Sequence, residues 1–179
     1  MLSTLSRYTL NWGSIRGVKV LLFSVYAASS ILCVGQLSIS QEFEGKVIGV
    51  KDGDTIEVLY DSIPVRIRLA HIDCPESGQP YGSSAKKYLS DLCYGRTVTV
   101  RQTDRPDKYG RTIAAIYIGD ECLNLAMVRS GMAWHFKKYS TDEDYAVAEL
   151  AARESQIGLW ADKDPTAPWE WRRIGRGGN

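Results

Sequence analysis

The amino-acid sequence predicts an α+β domain, mainly β, built as a small barrel with helices packed on it. Two observations carry this. From Glu44 onward, short runs of β-branched residues alternate with turn residues. Three stretches with helical spacing are interleaved among them, and the first three strands follow one another across short turns.

The elements follow in chain order. Val47–Val50 and Thr55–Tyr60 read as strands, with Asp52-Gly53 between them as a hairpin turn. Asp61-Ser62-Ile63-Pro64 turns the chain again before Val65–Ile72, where Val65, Ile67 and Leu69 alternate with Arg66, Arg68 and Ala70. His71 fits this run as an ordinary strand residue. Ser77–Gly82 is a Gly/Pro loop, after which Ser83 or Ser84 caps a helix carrying Ala85, Tyr88, Leu89, Leu92 and Cys93 and stopped by Gly95. Thr97–Gln102, with Val98 and Val100 inward, and Thr112–Ile118 are strands on either side of a polar loop. Leu123, Ala126 and Met127 mark a short helix ending at Gly131, and Met132–Phe136 reads as a short strand. The third helix opens on Ser140-Thr141-Asp142-Glu143, which has the form of a capping box. It buries Val147, Leu150 and Ala151, and stops at Gly158. Pro165, Pro168, Trp169 and Trp171 lead into an extension with a basic end.

The first forty residues differ in kind. Arg7, Arg16 and Lys19, with no acid among them, precede an uncharged apolar run from Val20 to Gly35, the order of a secretory signal. The expectation is export, secreted or periplasmic, with cleavage after a small-residue stretch such as Ser38-Ile39-Ser40. The run is also long enough that residues 18–36 serve as an uncleaved membrane anchor in the rival reading. The chain divides as 1–40 signal or anchor, 41–163 folded domain and 164–179 extension. Net charge is +1, so the chain without its basic leader is slightly acidic. Bulk charge gives no support to a nonspecific polycationic coat for nucleic acid, and any polyanion must be met by a local patch. Cys74, Cys93 and Cys122 lack the spacing of a zinc site. Their disulfide state is open.

The chemistry concentrates between Lys51 and Glu76. Asp52, Asp54, Asp73 and Glu76 lie in or beside turns, where carboxylates converge into a hard-oxygen site for a divalent cation. Taken alone, Asp52-Gly53-Asp54 reads equally well as a turn. Arg68 leads into Asp73, and Arg111 closes the loop Asp107-Lys108-Tyr109-Gly110-Arg111. Planar guanidinium groups suit the charge that develops on a phosphodiester under attack. Glu76, fixed behind Pro75, is placed to orient or deprotonate a water.

Together, Asp52-Gly53-Asp54-Thr55, Arg68 followed by Asp73-Cys74-Pro75-Glu76, then Asp107–Arg111, then Glu149 with Gly158-Leu159-Trp160 resemble the staphylococcal nuclease (thermonuclease) family over Val47–Trp160. The resemblance implies a five-stranded Greek-key barrel of OB type with three helices. It also implies calcium-dependent hydrolysis of DNA and RNA with little sequence specificity, leaving 3′-phosphates. Under it, Asp54, Asp73 and the Cys74 carbonyl bind calcium and Asp52 supports the metal through water. Glu76 is the general base, Arg68 and Arg111 bind phosphate, and Lys108, Tyr109 and Tyr139 contact the nucleotide. Two departures stand out: the Ser77–Gly82 loop is short, and Lys137 stands where the family has a second stacking tyrosine. The chain is expected to act as a monomer on DNA and RNA, with no obligate protein partner and membrane contact only if the leader stays on. The alternative is a module of the same fold that binds nucleic acid or protein without cutting.

Overall fold

The computed structural model describes residues 41–177. The leader and its signal-or-anchor reading lie outside the described residues. Among those described, no helix is long and apolar enough to cross a membrane.

Five strands close into a barrel of mixed pairing. Strand β1 (Glu42–Val50) turns through Lys51–Asp54 into β2 (Thr55–Tyr60), with Val50 opposite Ile56 and Val47 opposite Val58 across a bulge. The two-residue turn Asp61-Ser62, both residues at positive φ, passes the chain to β3 (Ile63–Leu69). The short β4 (Ile72–Asp73) and helix α1 (Gly82–Cys93) follow. Strand β5 (Thr97–Asp104) then pairs with the other edge of β1, and β6 (Thr112–Ile118) pairs with β5. Closure comes from β6 lying parallel to β3, Ile67 opposite Thr112 and Leu69 opposite Ala114. The expected α+β barrel of OB type is therefore present.

Alternation decides what fills the barrel. Val47, Ile56, Val58, Ile67, Leu69, Val98, Val100 and Ile116 are buried together, and Leu89 and Cys93 of α1 pack against them. After β7 (Glu121–Cys122) comes helix α2 (Leu123–Arg129), which contributes Leu123, Met127 and Val128 to the same core. Asn124, wholly buried on α2, stitches the closure. Its amide donates to the carbonyls of Ala70 (2.9 Å) and Ala114 (3.1 Å) and accepts from the Ile116 N–H (3.0 Å).

Several local expectations are corrected. The Val65–Ile72 run is broken, because His71 sits at φ 69° and turns the chain between β3 and β4. Helix α1 starts at Gly82 with Tyr81 left-handed at its cap, and neither Ser83 nor Ser84 caps it. Helix α3 (Glu143–Glu154) is capped by Asp142, whose carboxylate accepts from the Asp144 N–H, while Ser140 accepts from the Asp142 N–H. Its buried face is Tyr145, Ala148, Glu149 and Ala152, with Val147 and Leu150 exposed. Alanines let α3 lie close to its neighbours, so the bulky side chains at the alternative spacing stay outside. The short strand expected near Met132 is β8 (Trp134–His135), paired with β4.

The extension is ordered. A 3₁₀ turn at Gly158–Ala161 leads to a fourth helix, α4 (Pro168–Gly177), that the three-helix expectation omitted. Pro168 supplies the first helical position, where its missing N–H costs nothing. Trp169 stacks on Phe136 (5.5 Å, 3°) and meets Trp134 edge-on (5.4 Å). Cys74, Cys93 and Cys122 are all free thiols.

Candidate active site

The register of the barrel assembles the site at one end. Thr55, the first residue of β2, faces Arg68 on β3, and the Asp52–Asp54 turn lies just before it. The parallel β3–β6 pairing begins at Thr112, which brings Arg111 beside the same corner. The left-handed turn at His71 swings β4 back so that Asp73 returns to Arg68. An open cleft of about 1320 Å³ results, and Asp52, Asp54, Arg68, Asp73, Cys74, Glu76, Lys108, Tyr109, Arg111 and Tyr139 all line it. Residues taken from four separate stretches of sequence thus share one cavity.

The acidic turn is tightly held. Asp52 Oδ1 accepts from the Asp54 N–H (3.0 Å), which closes the turn on itself. Asp54 is buried, accepting from the Cys74 N–H at Oδ2 (2.9 Å) and from the Thr55 hydroxyl at Oδ1 (3.3 Å). Gly53 is required by close approach: a Cβ there would stand 2.7 Å from the Cys74 Cβ and 2.8 Å from the Ala85 Cβ. The Asp-Gly-Asp turn is therefore pressed against α1 and the Asp73-Cys74 segment, which an ordinary surface hairpin turn is not.

Arg68 is the hub. Its guanidinium contacts Asp54 Oδ2 through Nη1 and Asp73 Oδ1 through Nη2 (2.8 Å), with only 13% of the side chain exposed. One planar cation therefore touches both carboxylates, so the two acids converge on a common point. Burial pulls the Arg68 pKa down, opposed chiefly by Asp73. Arg111 is held by Asp107, from Nε (2.8 Å) and Nη2 (2.7 Å), and reaches toward the Thr55 hydroxyl. The backbone N–H groups of Tyr109 and Arg111 also donate to Asp107, and these bonds outweigh burial to hold its carboxyl below the usual range. The loop is wound around Asp107, which aims Arg111.

The donor set fits an oxygen-seeking divalent cation. Among the described residues no three His, Cys, Asp or Glu side chains gather into a cage. A cation here would take two carboxylates, a backbone carbonyl and water, a mixture such ions accept. The Cys74 thiol is not a candidate. It donates to the Gly53 carbonyl (3.1 Å), and burial pushes its pKa well up, so it stays neutral.

Lys108, Tyr109 and Tyr139 lie on the rim; Tyr109 and Tyr139 are exposed, the latter edge-on to Phe136. Lys137 turns from the cleft centre to pair with the buried Glu149 (3.1 Å). His71 and His135 lie around Tyr145 (5.0 and 5.9 Å), with no hydrogen-bond partner for His71 Nδ1 or either His135 ring nitrogen. Burial lowers both pKa values, as expected of packing histidines.

Two functional positions were missed. Gln79 is buried in the short loop, accepting from the Glu76 N–H (3.0 Å) and donating to the Thr166 carbonyl (2.7 Å), so it fastens Glu76 to the extension. Arg172 of α4 reaches into the acidic centre. It donates to Asp73 Oδ2 (2.7 Å) and Oδ1 (3.2 Å) and to Glu76 Oε1 (2.5 Å). These bonds, that to Asp73 foremost, push the Arg172 pKa above the ordinary arginine value. The Gln79 role left no signal in sequence. The Trp169–Arg172 spacing, one turn apart behind a proline, was the available sign of a helix facing the site.

Residues 66–162 match the family described as Staphylococcal nuclease homologue. The chain is 37% identical over 160 residues to a micrococcal nuclease of Shigella flexneri, covering 83% of this chain and 91% of that one. It is 44% identical over 132 residues to an uncharacterized endonuclease of Escherichia coli O157:H7, covering 73% and 86%. A staphylococcal-like nuclease of Arabidopsis thaliana, CAN1, is 40% identical over 114 residues, which is 64% of this chain and 35% of the plant protein.

Proposed function

The chain belongs to the staphylococcal nuclease homologue family, and we propose that within it this protein is a working, calcium-dependent phosphodiesterase of DNA and RNA that leaves 3′-phosphate ends. The observation that carries this reading is the convergence of Asp54 and Asp73 on one guanidinium, with Arg111 aimed at the same corner by Asp107. A binding module that does not cut has no chemical need of that arrangement.

Asp54, Asp73 and the Cys74 carbonyl would hold the calcium ion. When bound, calcium supplies Lewis-acid neutralisation of the scissile phosphate. Glu76 sits on a loop tethered by Gln79 and orients or deprotonates the attacking water. The water oxygen bonds to phosphorus as its proton passes to Glu76, the P–O5′ bond breaks, and the 5′-oxygen takes up a proton from solvent to leave as a hydroxyl. Arg68 and Arg111 stabilise the extra charge on the phosphoryl oxygens through fixed N–H donors. Lys108, Tyr109 and Tyr139 contact the nucleotide from the rim. The single rim tyrosine on the Tyr139 side weakens base stacking and shifts nucleotide binding towards phosphate contacts.

Asp54→Asn tests the reading, because it keeps the shape and the Cys74 hydrogen bond while removing the charge. Expected results are a melting curve close to that of the unmodified protein in chelator, weakened calcium binding by calorimetry, and a loss of about 10²-fold or more in cleavage. Full cleavage by this variant would overturn the assignment of Asp54.

A further inference from the structure

Arg172 lies outside residues 66–162, the stretch that matches the family. It nevertheless makes the closest contacts to the acidic centre after Arg68. Both carboxylate oxygens of Asp73 are engaged by guanidinium groups: Oδ1 by Arg68 and Arg172, and Oδ2 by Arg172. The same Arg172 nitrogen that meets Oδ1 also meets Glu76. A single side chain from the extension therefore bridges the two acids proposed as metal ligand and water activator.

We propose that Arg172 is the built-in counter-ion of this centre, standing on Asp73 and Glu76 in the metal-free protein, so that cation binding and withdrawal of Arg172 are one coupled step. The inference rests on the reading of the centre as a cation site. Asp73 is 1% exposed, and a carboxylate so buried needs compensating charge at all times. A divalent ion and a guanidinium cannot share Asp73 without like-charge repulsion in a half-dry site. Arg172 is also free to leave, with a third of its side chain exposed. It sits one turn beyond Trp169, whose stacking on Phe136 anchors the base of α4 together with the Gln79–Thr166 bond. The guanidinium can then rotate out to solvent while the helix stays docked. This separates it from Arg68, which is far more enclosed and whose burial ties it to the barrel.

Coupling of this kind is reciprocal, so it appears in both binding and stability. The test compares the full-length chain with its Arg172→Gln variant, titrating calcium by calorimetry and measuring melting in chelator and in saturating calcium. Arg172→Gln is expected to bind calcium about tenfold more tightly. It should melt below the unmodified chain in chelator, with most of that gap closing in calcium. A purely structural role for Arg172 would leave the gap equal in both conditions and the affinity unchanged, and this would overturn the proposal. Weaker calcium binding by the variant would overturn it as well. Should Arg172→Gln fail to fold, Arg172→Lys retains the charge without the two-point fork and is expected to fall between the two. If neither chain binds calcium, the cation reading itself fails. If both bind equally, only the role of Arg172 does.

Discussion

Arg111→Ala is expected to lower kcat/KM for DNA by about 10³-fold or more, the scale on which an arginine aimed at a phosphoryl transition state acts. The fold should survive. Asp107 keeps the backbone N–H groups of residues 109 and 111 as donors once the Arg111 side chain is gone, so its carboxylate is not left without partners. The melting curve of the variant therefore separates lost chemistry from lost structure. Asp107→Asn is the companion experiment. It leaves the cation in place but weakens the acceptor that receives the Arg111 side chain and the Tyr109 and Arg111 backbone N–H groups. The loss should be real but smaller, and it should fall on kcat, because aim is impaired while charge remains. Equal losses in the two variants would mean that loop geometry, not the Arg111 charge, carries the effect.

The largest effect on stability is expected at Asn124→Leu. The volume is similar, yet the change strands the carbonyl of Ala70 and the N–H of Ile116 in the sealed core, while the Ala114 carbonyl keeps only its bond from the Ala70 N–H. Each orphaned buried group costs about 1–3 kcal/mol, so for two such groups a loss of about 2–6 kcal/mol is expected. Chemical denaturation checks it through a lower midpoint at unchanged slope. The residue stands where β6 closes on β3, the joint that delivers Arg68 and Arg111 to one corner. Activity should fall with the folded fraction, with KM unaltered among molecules that remain folded.

The acidic turn, the two arginines and the Asp107 loop were legible in sequence because each depends on residue types that local chemistry restricts. An Asp-Gly-Asp turn and a Pro-fixed Glu76 can be seen without knowing what they face. What they face was legible only through resemblance. The register that places Thr55 opposite Arg68 and Thr112 opposite Ile67 is a long-range property of barrel closure. Helix α3 was legible as a helix but not by its face, because Val147 and Leu150 share the spacing that Tyr145, Ala148 and Ala152 use to pack. Helix α4 was hidden by its prolines, which read as a loop although Pro168 opens the helix. Arg172 was hidden with it. Its partner Asp73 is 99 residues away, and no local pattern announces such a pair. Gln79 and Asn124 each satisfy several backbone groups at once, a demand set by the folded arrangement and invisible to composition.

The most direct test of the central claim is digestion of one defined oligonucleotide, as DNA and as RNA, by the unmodified chain in calcium and in excess chelator. Products would be identified by mass. Cleavage of both is expected in calcium, with fragments ending in 3′-phosphate and a free 5′-hydroxyl on the other side, and no cleavage in chelator. Undiminished cleavage in chelator, or fragments carrying 5′-phosphates, would contradict it.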